Sequence, residues 1–323
     1  MSEVLTGYKL KPAPYPCNPF THVSFYQGTD CSGLRVVVKQ QDFPALTLEG
    51  VREQAEKVMT AGLEQAAVQH PHVCQLFQVR LVVTGQSCSV FHVLEQMETN
   101  VGQDIEERKK SNRPYTEAEL WSFLQQVSKA LAYVHSRGVA HRDIKPNNVF
   151  RTQETYKVGD FGEYWRMQRD PTTSTLKGDG RYFSPQMREA HLSGGKYDAM
   201  KNDVFALGAT WLEMAAFVPP NTCISFEETI RRLPYSQKLK DALLLMLAAE
   251  ESQRCAMDTV NSMPQQDAVQ QKKKTAKQRE IERVEALRVL QEQAAKTVRA
   301  EEMKQAAAGA GQMQCGVCRV FAA

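Results

Sequence analysis

The sequence predicts an α+β chain in two unequal parts, a small β-rich part with one helix and a larger helical part, followed by a separate polar helix. Three observations predict it. Short runs of β-branched and aromatic residues fill the stretch before Val101, helical periodicity takes over from Thr116, and beyond Pro264 the composition changes to Gln, Lys, Glu, Arg and Ala.

In chain order, His22–Gln27, Leu34–Val38, Phe77–Val83 and Ser89–Leu94 have the residue types of strands, with one helical stretch between about Leu48 and Gln69. Thr116 and Glu119 make a capping-box start ahead of Leu120, Phe123, Leu124, Val127, Leu131 and Val134, which recur at three- and four-residue steps. Further apolar helices are predicted near Asp203–Ala216 and, after the turn-forming Pro219, Pro220 and Pro234, near Gln237–Ala249. The last stretch reads as one long polar helix outside the core. Its apolar positions Ile281, Val284, Leu287, Leu290, Ala294 and Val298 form a thin stripe without a sustained seven-residue repeat. A solvated helix is the plain reading, and self-association as a coiled coil through 265–305 is the alternative.

The 323 residues are 42% hydrophobic, ample for a buried core. Lysine and arginine total 40 against 37 aspartate and glutamate, a net charge of +3 that points neither to nucleic acid nor to a membrane surface. The start lacks the apolar run of a signal peptide, and no stretch approaches the ~20 apolar residues of a membrane span. A cytoplasmic or nuclear protein is expected. The eight cysteines are too sparse for a disulfide framework and read as thiols. Cys315 and Cys318 have the spacing of half a zinc site, two ligands of the four required, and read more plainly as an incidental thiol pair.

The chemistry is concentrated in His141–Phe150, HRDIKPNNVF, and Lys157–Gly162, KVGDFG. Phosphoryl transfer needs a carboxylate to take the proton of the attacking hydroxyl and oxygen ligands to hold Mg²⁺ against the phosphates. With these motifs in order, the sequence resembles the eukaryotic protein kinase family, serine/threonine type. The resemblance implies a bilobal fold with its kinase domain at 8–260, the small lobe at about 8–95 and the large lobe at about 98–260. A helical tail at 261–310 and a short disordered segment at 311–323 would follow. It implies Asp143 as catalytic base, Lys145 on the transferring phosphoryl, and Asn148 and Asp160 as metal ligands, with ATP and Mg²⁺ as cofactors. Lys39, ending Leu34-Arg35-Val36-Val37-Val38, would meet the α- and β-phosphates. Val23, Val37, Glu95, Met97, Phe150 and Asp160 would complete the ATP site, with Leu94 as gatekeeper. A lysine two residues after the catalytic aspartate is the arrangement of kinases directed at serine and threonine, so the partner implied is a protein carrying such a hydroxyl. Gly178–Gln186 is similar to the end of an activation segment, and Asp203 to the aspartate that braces the catalytic loop.

Four places depart from the family pattern. Pro16–Val23 stands where a glycine-rich phosphate loop belongs and contains no glycine, so its backbone should donate few hydrogen bonds and nucleotide binding should be weakened. Val37 replaces a smaller residue above the adenine. The spacing before His70-Pro71 puts Ala61 where a helix glutamate should pair with Lys39, with Glu56 and Glu64 out of register. Gln186 stands where a glutamate would pair with Arg254, losing a charge-assisted bond. Thr172, Thr173, Ser174 and Thr175 are candidate phosphorylation sites facing Arg142. The readings left open are an active kinase, a pseudokinase scaffold and an adaptor acting through its tail.

Overall fold

The computed structural model describes residues 5–12, 22–43, 56–84 (without 57 and 64), 87–263 (without 164 and 167–171) and 281–299 (without 282, 294, 297 and 298). The strands β1 (Lys9–Pro12), β2 (Val23–Thr29), β3 (Arg35–Phe43), β4 (Leu76–Thr84) and β5 (Ser87–Glu95) form one antiparallel sheet in the order β1-β2-β3-β5-β4. Strand alternation sorts β3 into two faces. Val36 and Val38 pack with Phe91 and Val93 beneath Leu5, Tyr8 and Leu10. Val37 and Lys39 lie on the opposite face, across from Leu94 and His92 of β5.

That second face receives the helix α1, which carries the described helical residues between 56 and 66. Val58 and Met59 of α1 cover Phe43, Cys88 and Val90. Gly62 sets the approach: a Cβ there would lie 2.8 Å from His92 Nε2 and 2.8 Å from a Val79 methyl. β3 runs on to Phe43, beyond the expected end at Val38, because the polar run Gln40-Gln41-Asp42 is paired rather than solvated. Asp42 accepts from Gln40 Nε2 at 2.8 Å and from Ser89 Oγ of β5 at 2.6 Å.

The large lobe begins with β6 (Thr99–Asn100), α2 (Val101–Lys110) and α3 (Glu117–His135). The Thr116–Glu119 capping box forms as expected, and the six apolar positions of α3 named above are all buried. Then come β7 (Val139–Ala140), β8 (Val149–Thr152), β9 (Thr155–Val158), β10 (Trp165–Arg166), β11 (Thr172–Thr173), α4 (Pro185–Ser193), β12 (Tyr197–Asp198) and α5 (Ala199–Ala216). Trp211 of α5 packs edge-on against Trp121 of α3 at 5.1 Å and donates its indole N–H to the Leu120 carbonyl at 2.8 Å. α5 starts at Ala199 rather than near Asp203: Asp198 caps it by accepting from the Met200 and Lys201 amides. Three polar residues, Lys201-Asn202-Asp203, hide this first turn in the sequence. The lobe closes with α6 (Phe226–Arg232), α7 (Gln237–Met246) and α8 (Met257–Asn261).

The tail corrects the sequence reading. Helical residues 283–293, here α9, lie on the large lobe and not outside the core: Leu287 and Leu290 are each 4% exposed within the main hydrophobic cluster. The Arg283 guanidinium stacks 5.7 Å over the Tyr235 ring, and Arg232 Nη1 donates to Gln293 Oε1 at 2.6 Å. The stripe docks on a preformed apolar seam of the lobe, and the sequence does not display that seam. Residues 264–280 and 300–323, with Cys315 and Cys318, lie outside the described residues. Among the described residues no helix is long and apolar enough to cross a membrane.

Leu290→Ala should therefore lower the unfolding free energy by about 2–5 kcal/mol, as buried leucine truncations do, while Ile281→Ala should change it by less than ~0.5 kcal/mol. Ile281, two positions before α9, is 50% exposed. Urea unfolding of both variants measures the contrast, and equally small losses would show that α9 does not dock.

Candidate active site

The loop from His141 to Asn148 is shaped by Asp203, whose carboxylate has no exposure. It accepts from the backbone amides of His141 at 2.7 Å and Arg142 at 2.8 Å, and its Oδ2 lies 2.8 Å from His135 Nε2. These bonds hold Arg142 at φ +65°, a left-handed conformation that a non-glycine residue adopts only under constraint. The His141 ring, also without exposure, lies 3.0 Å from the Gly159 carbonyl through Nε2 and stacks 4.6 Å from the Phe161 ring. The loop 141–148 and the segment Asp160-Phe161-Gly162 are thus fixed to each other.

Asp143 emerges from this frame half-buried. Lys145 Nζ donates to both its carboxylate oxygens, at 3.1 and 2.8 Å. Asn148 Nδ2 donates to the Asp143 carbonyl and to Oδ2, both at 2.8 Å, which turns the amide so that Oδ1 is its remaining coordinating atom. The Asp179 amide donates to Asp143 Oδ1 at 3.0 Å. Gly178 permits that approach: its φ is +103°, and a Cβ would sit 2.4 Å from the Arg142 carbonyl oxygen.

Asp160, at φ +58°, pairs with Lys39 Nζ at 2.8 Å. Burial alone would push its carboxyl up, but the Lys39 charge and hydrogen bond, with His141 and Lys145 beyond, hold it below the usual carboxylate range. Its side chain is 41% exposed. Val23, Val37, Lys39 and Leu94 share one face of the sheet by register, and Phe150 lies on β8 of the large lobe with its ring against Gly159. The Glu95 amide donates to the Gln75 carbonyl at 2.9 Å, and the Glu95 carboxylate takes both bonds of Lys157 Nζ at 2.7 and 2.8 Å. Met97 is buried, its sulfur accepting from Thr152 Oγ1 at 3.7 Å.

The described partner of Lys39 is Asp160, and Glu64 and the loop 16–21 lie outside the described residues. Of the four candidate hydroxyls in the activation segment, Thr175 meets Arg142, which donates to its Oγ1 at 2.9 Å and to its carbonyl at 3.3 Å. Gln186 Oε1 accepts from Arg254 Nη2 at 2.7 Å. The buried guanidinium also donates to the carbonyls of Lys201, Ala248 and Ala249, which offset the missing carboxylate.

A protein kinase domain model matches residues 51–293, most of the chain. The chain belongs to the protein kinase domain family. The match includes α9 and begins after β3, so Lys39 lies outside it. An Aurora kinase of Candida glabrata is 27% identical over 219 residues, 62% of this chain and 55% of that one. A CBL-interacting protein kinase 11 of Oryza sativa is 27% identical over 249 residues, 73% of this chain and 47% of that one. A cyclin-dependent kinase F-4 of the same plant is 31% identical over 150 residues, 46% of this chain and 30% of that one. The chain thus spans about a third to just over half the length of these relatives.

Three features of the kinase domain escaped the sequence reading. The Glu95–Lys157 ion pair ties the end of β5 to β9, and no short-range pattern announces it. Asp179 reaches Asp143 through its backbone, which no side-chain motif records. His92 lies under α1 at 9% exposure, with Nδ1 unpartnered among the described residues. Burial and the charge of Lys39 hold its pKa down at about 4, against 6.5 for a free imidazole. Between those values the unfolded chain binds a proton that the folded chain does not, so stability must fall as pH drops through this window. Between about pH 7 and about pH 4.5 the loss attributable to His92 should be on the order of 2–3 kcal/mol, and His92→Leu should remove that part of the slope. Urea unfolding at the two pH values checks it. An unchanged slope in the variant would mean that His92 titrates normally.

Proposed function

We propose that this chain is a serine/threonine protein kinase, transferring the γ-phosphoryl group of ATP to hydroxyls of a protein substrate. One observation carries the reading: the Asp143 carboxylate is held by Lys145, Asn148 and the Asp179 amide beside the Lys39–Asp160 pair. In this reading Asp143 orients the acceptor hydroxyl and takes its proton as the oxygen bonds to the γ-phosphorus. The bond from phosphorus to the bridging oxygen breaks, and its electron pair leaves with ADP. Lys145, already on Asp143, would turn one N–H to the transferring group. Lys39 would hold the inner phosphates.

The donor set suits Mg²⁺: Asn148 Oδ1 and the exposed side of Asp160 are hard oxygens, few in number, leaving positions for phosphate oxygens and water. When bound, the ion would neutralise phosphate charge. A binding scaffold needs none of these side chains merely to fold, and two strained residues, Arg142 and Asp160, are kept in place around them. The adaptor reading also weakens, because α9, the described part of the tail it relied on, packs on the lobe.

Asp143→Asn should lower kcat by roughly 10²–10⁴-fold on a basic protein substrate with little change in ATP affinity, since the carboxylate acts on the hydroxyl. Asp160→Asn should instead abolish both turnover and the Mg²⁺-dependent part of ATP binding. Turnover assays and thermal shifts with ATP, with and without Mg²⁺, separate the two. Parallel losses of affinity and rate in Asp143→Asn would count against its role as base.

A further inference from the structure

We propose that Arg181 is a positioning residue: by occupying the Asp179 carboxylate, it keeps Lys145 on Asp143. The inference rests on the roles given above to Asp143 and Lys145. Asp179 is the residue whose amide donates to Asp143 Oδ1, so its own carboxylate is a second anion in that segment. Arg181 holds it through Nε to Oδ1 at 3.1 Å, Nε to Oδ2 at 3.3 Å and Nη2 to Oδ2 at 2.8 Å, a near-complete fork.

Lys145 Nζ and the Asp179 amide donate to the same oxygen, Asp143 Oδ1, at 3.1 and 3.0 Å, which makes the two residues neighbours. Burial raises the Asp179 carboxyl, and the Arg181 bonds, with Lys145 contributing, bring it below the usual range. A flexible ammonium with two carboxylates nearby distributes between them. With the guanidinium removed, the 22% exposed Asp179 carboxylate keeps the residue-181 backbone amide on Oδ1 but loses its counter-charge, and Lys145 gains a second partner.

The guanidinium is not what folds the segment. The backbone is held by Tyr182 N–H to the Asp179 carbonyl at 3.0 Å, by the Ser184 amide to Asn202 Oδ1 at 3.0 Å, and by Tyr182 Oη to Glu213 Oε2 at 2.5 Å. Arg188 braces it further, donating to the Phe183 carbonyl at 3.2 Å and the Arg181 carbonyl at 3.5 Å. The Arg181 side chain itself is 47% exposed. What its removal changes is charge beside the reacting hydroxyl.

The test is a double-mutant cycle of Arg181→Met, Asp179→Asn and both together, read as kcat and as KM for ATP. Arg181→Met should lower kcat about tenfold with KM for ATP unchanged, and adding Asp179→Asn should restore kcat to within about threefold of the parent. An Arg181→Met enzyme with parental kcat overturns the proposal. So does a double variant no faster than Arg181→Met, which would make Arg181 a substrate contact. A crystal structure of Arg181→Met gives a readout independent of turnover: Lys145 Nζ should have moved to Asp179, and retention of both bonds to Asp143 refutes the idea even without measurable activity. Absence of turnover in the parent chain would instead tell against the kinase reading itself.

Discussion

The Asp203 carboxylate is the constraint on which the rest of the site depends. It is fully enclosed, and a buried charge is tolerated only when its hydrogen bonds are complete. Here two consecutive backbone amides and His135 complete them. Hydrogen bonds to a charged group are each worth about 1.5–3 kcal/mol, against about 1–3 kcal/mol for one left-handed non-glycine residue, so the two amide bonds suffice to hold Arg142 in its strained state. Everything downstream inherits that geometry: Asp143 follows Arg142 directly, and Gly178 packs against the Arg142 carbonyl.

From that anchor, order spreads in two directions. Through His141 it reaches the Gly159 carbonyl and the Phe161 ring, which fix the approach to Asp160. Through Asp160 it reaches Lys39 and the small lobe. A second link between the lobes, Lys157 to Glu95, is a half-buried ion pair with both carboxylate oxygens engaged. A neutral contact adds to these, His72 Nδ1 lying 3.0 Å from the Tyr156 carbonyl, and the closeness of α1 to β5 is set by the bare backbone of Gly62.

Much of this was legible in the sequence because it is local. Strand alternation around Val36–Lys39, the capping box at Thr116 and the spacing within His141–Asn148 are all fixed by neighbours within a few residues. What could not be read depends on distant partners. β3 extends through Gln40–Asp42 because Ser89 pairs with it, and α5 begins at Ala199 because its polar first turn serves other elements: Asn202 caps the Ser184 amide and Asp203 the catalytic loop. The docking of α9 depends on a seam made by α6 and Tyr235, which lies more than forty residues away in the chain. Likewise the pairing of Arg181 with Asp179 matters only because Gly178 brings that segment onto Asp143.

The central claim is that this site moves a phosphoryl group to an aliphatic hydroxyl. Its most direct test is phosphoamino-acid analysis: purified chain is incubated with Mg²⁺, γ-labelled ATP and a mixed protein substrate, and the labelled product is hydrolysed to amino acids. The account predicts label in phosphoserine or phosphothreonine. Label confined to phosphotyrosine, or no label from a folded chain that binds ATP, would contradict it.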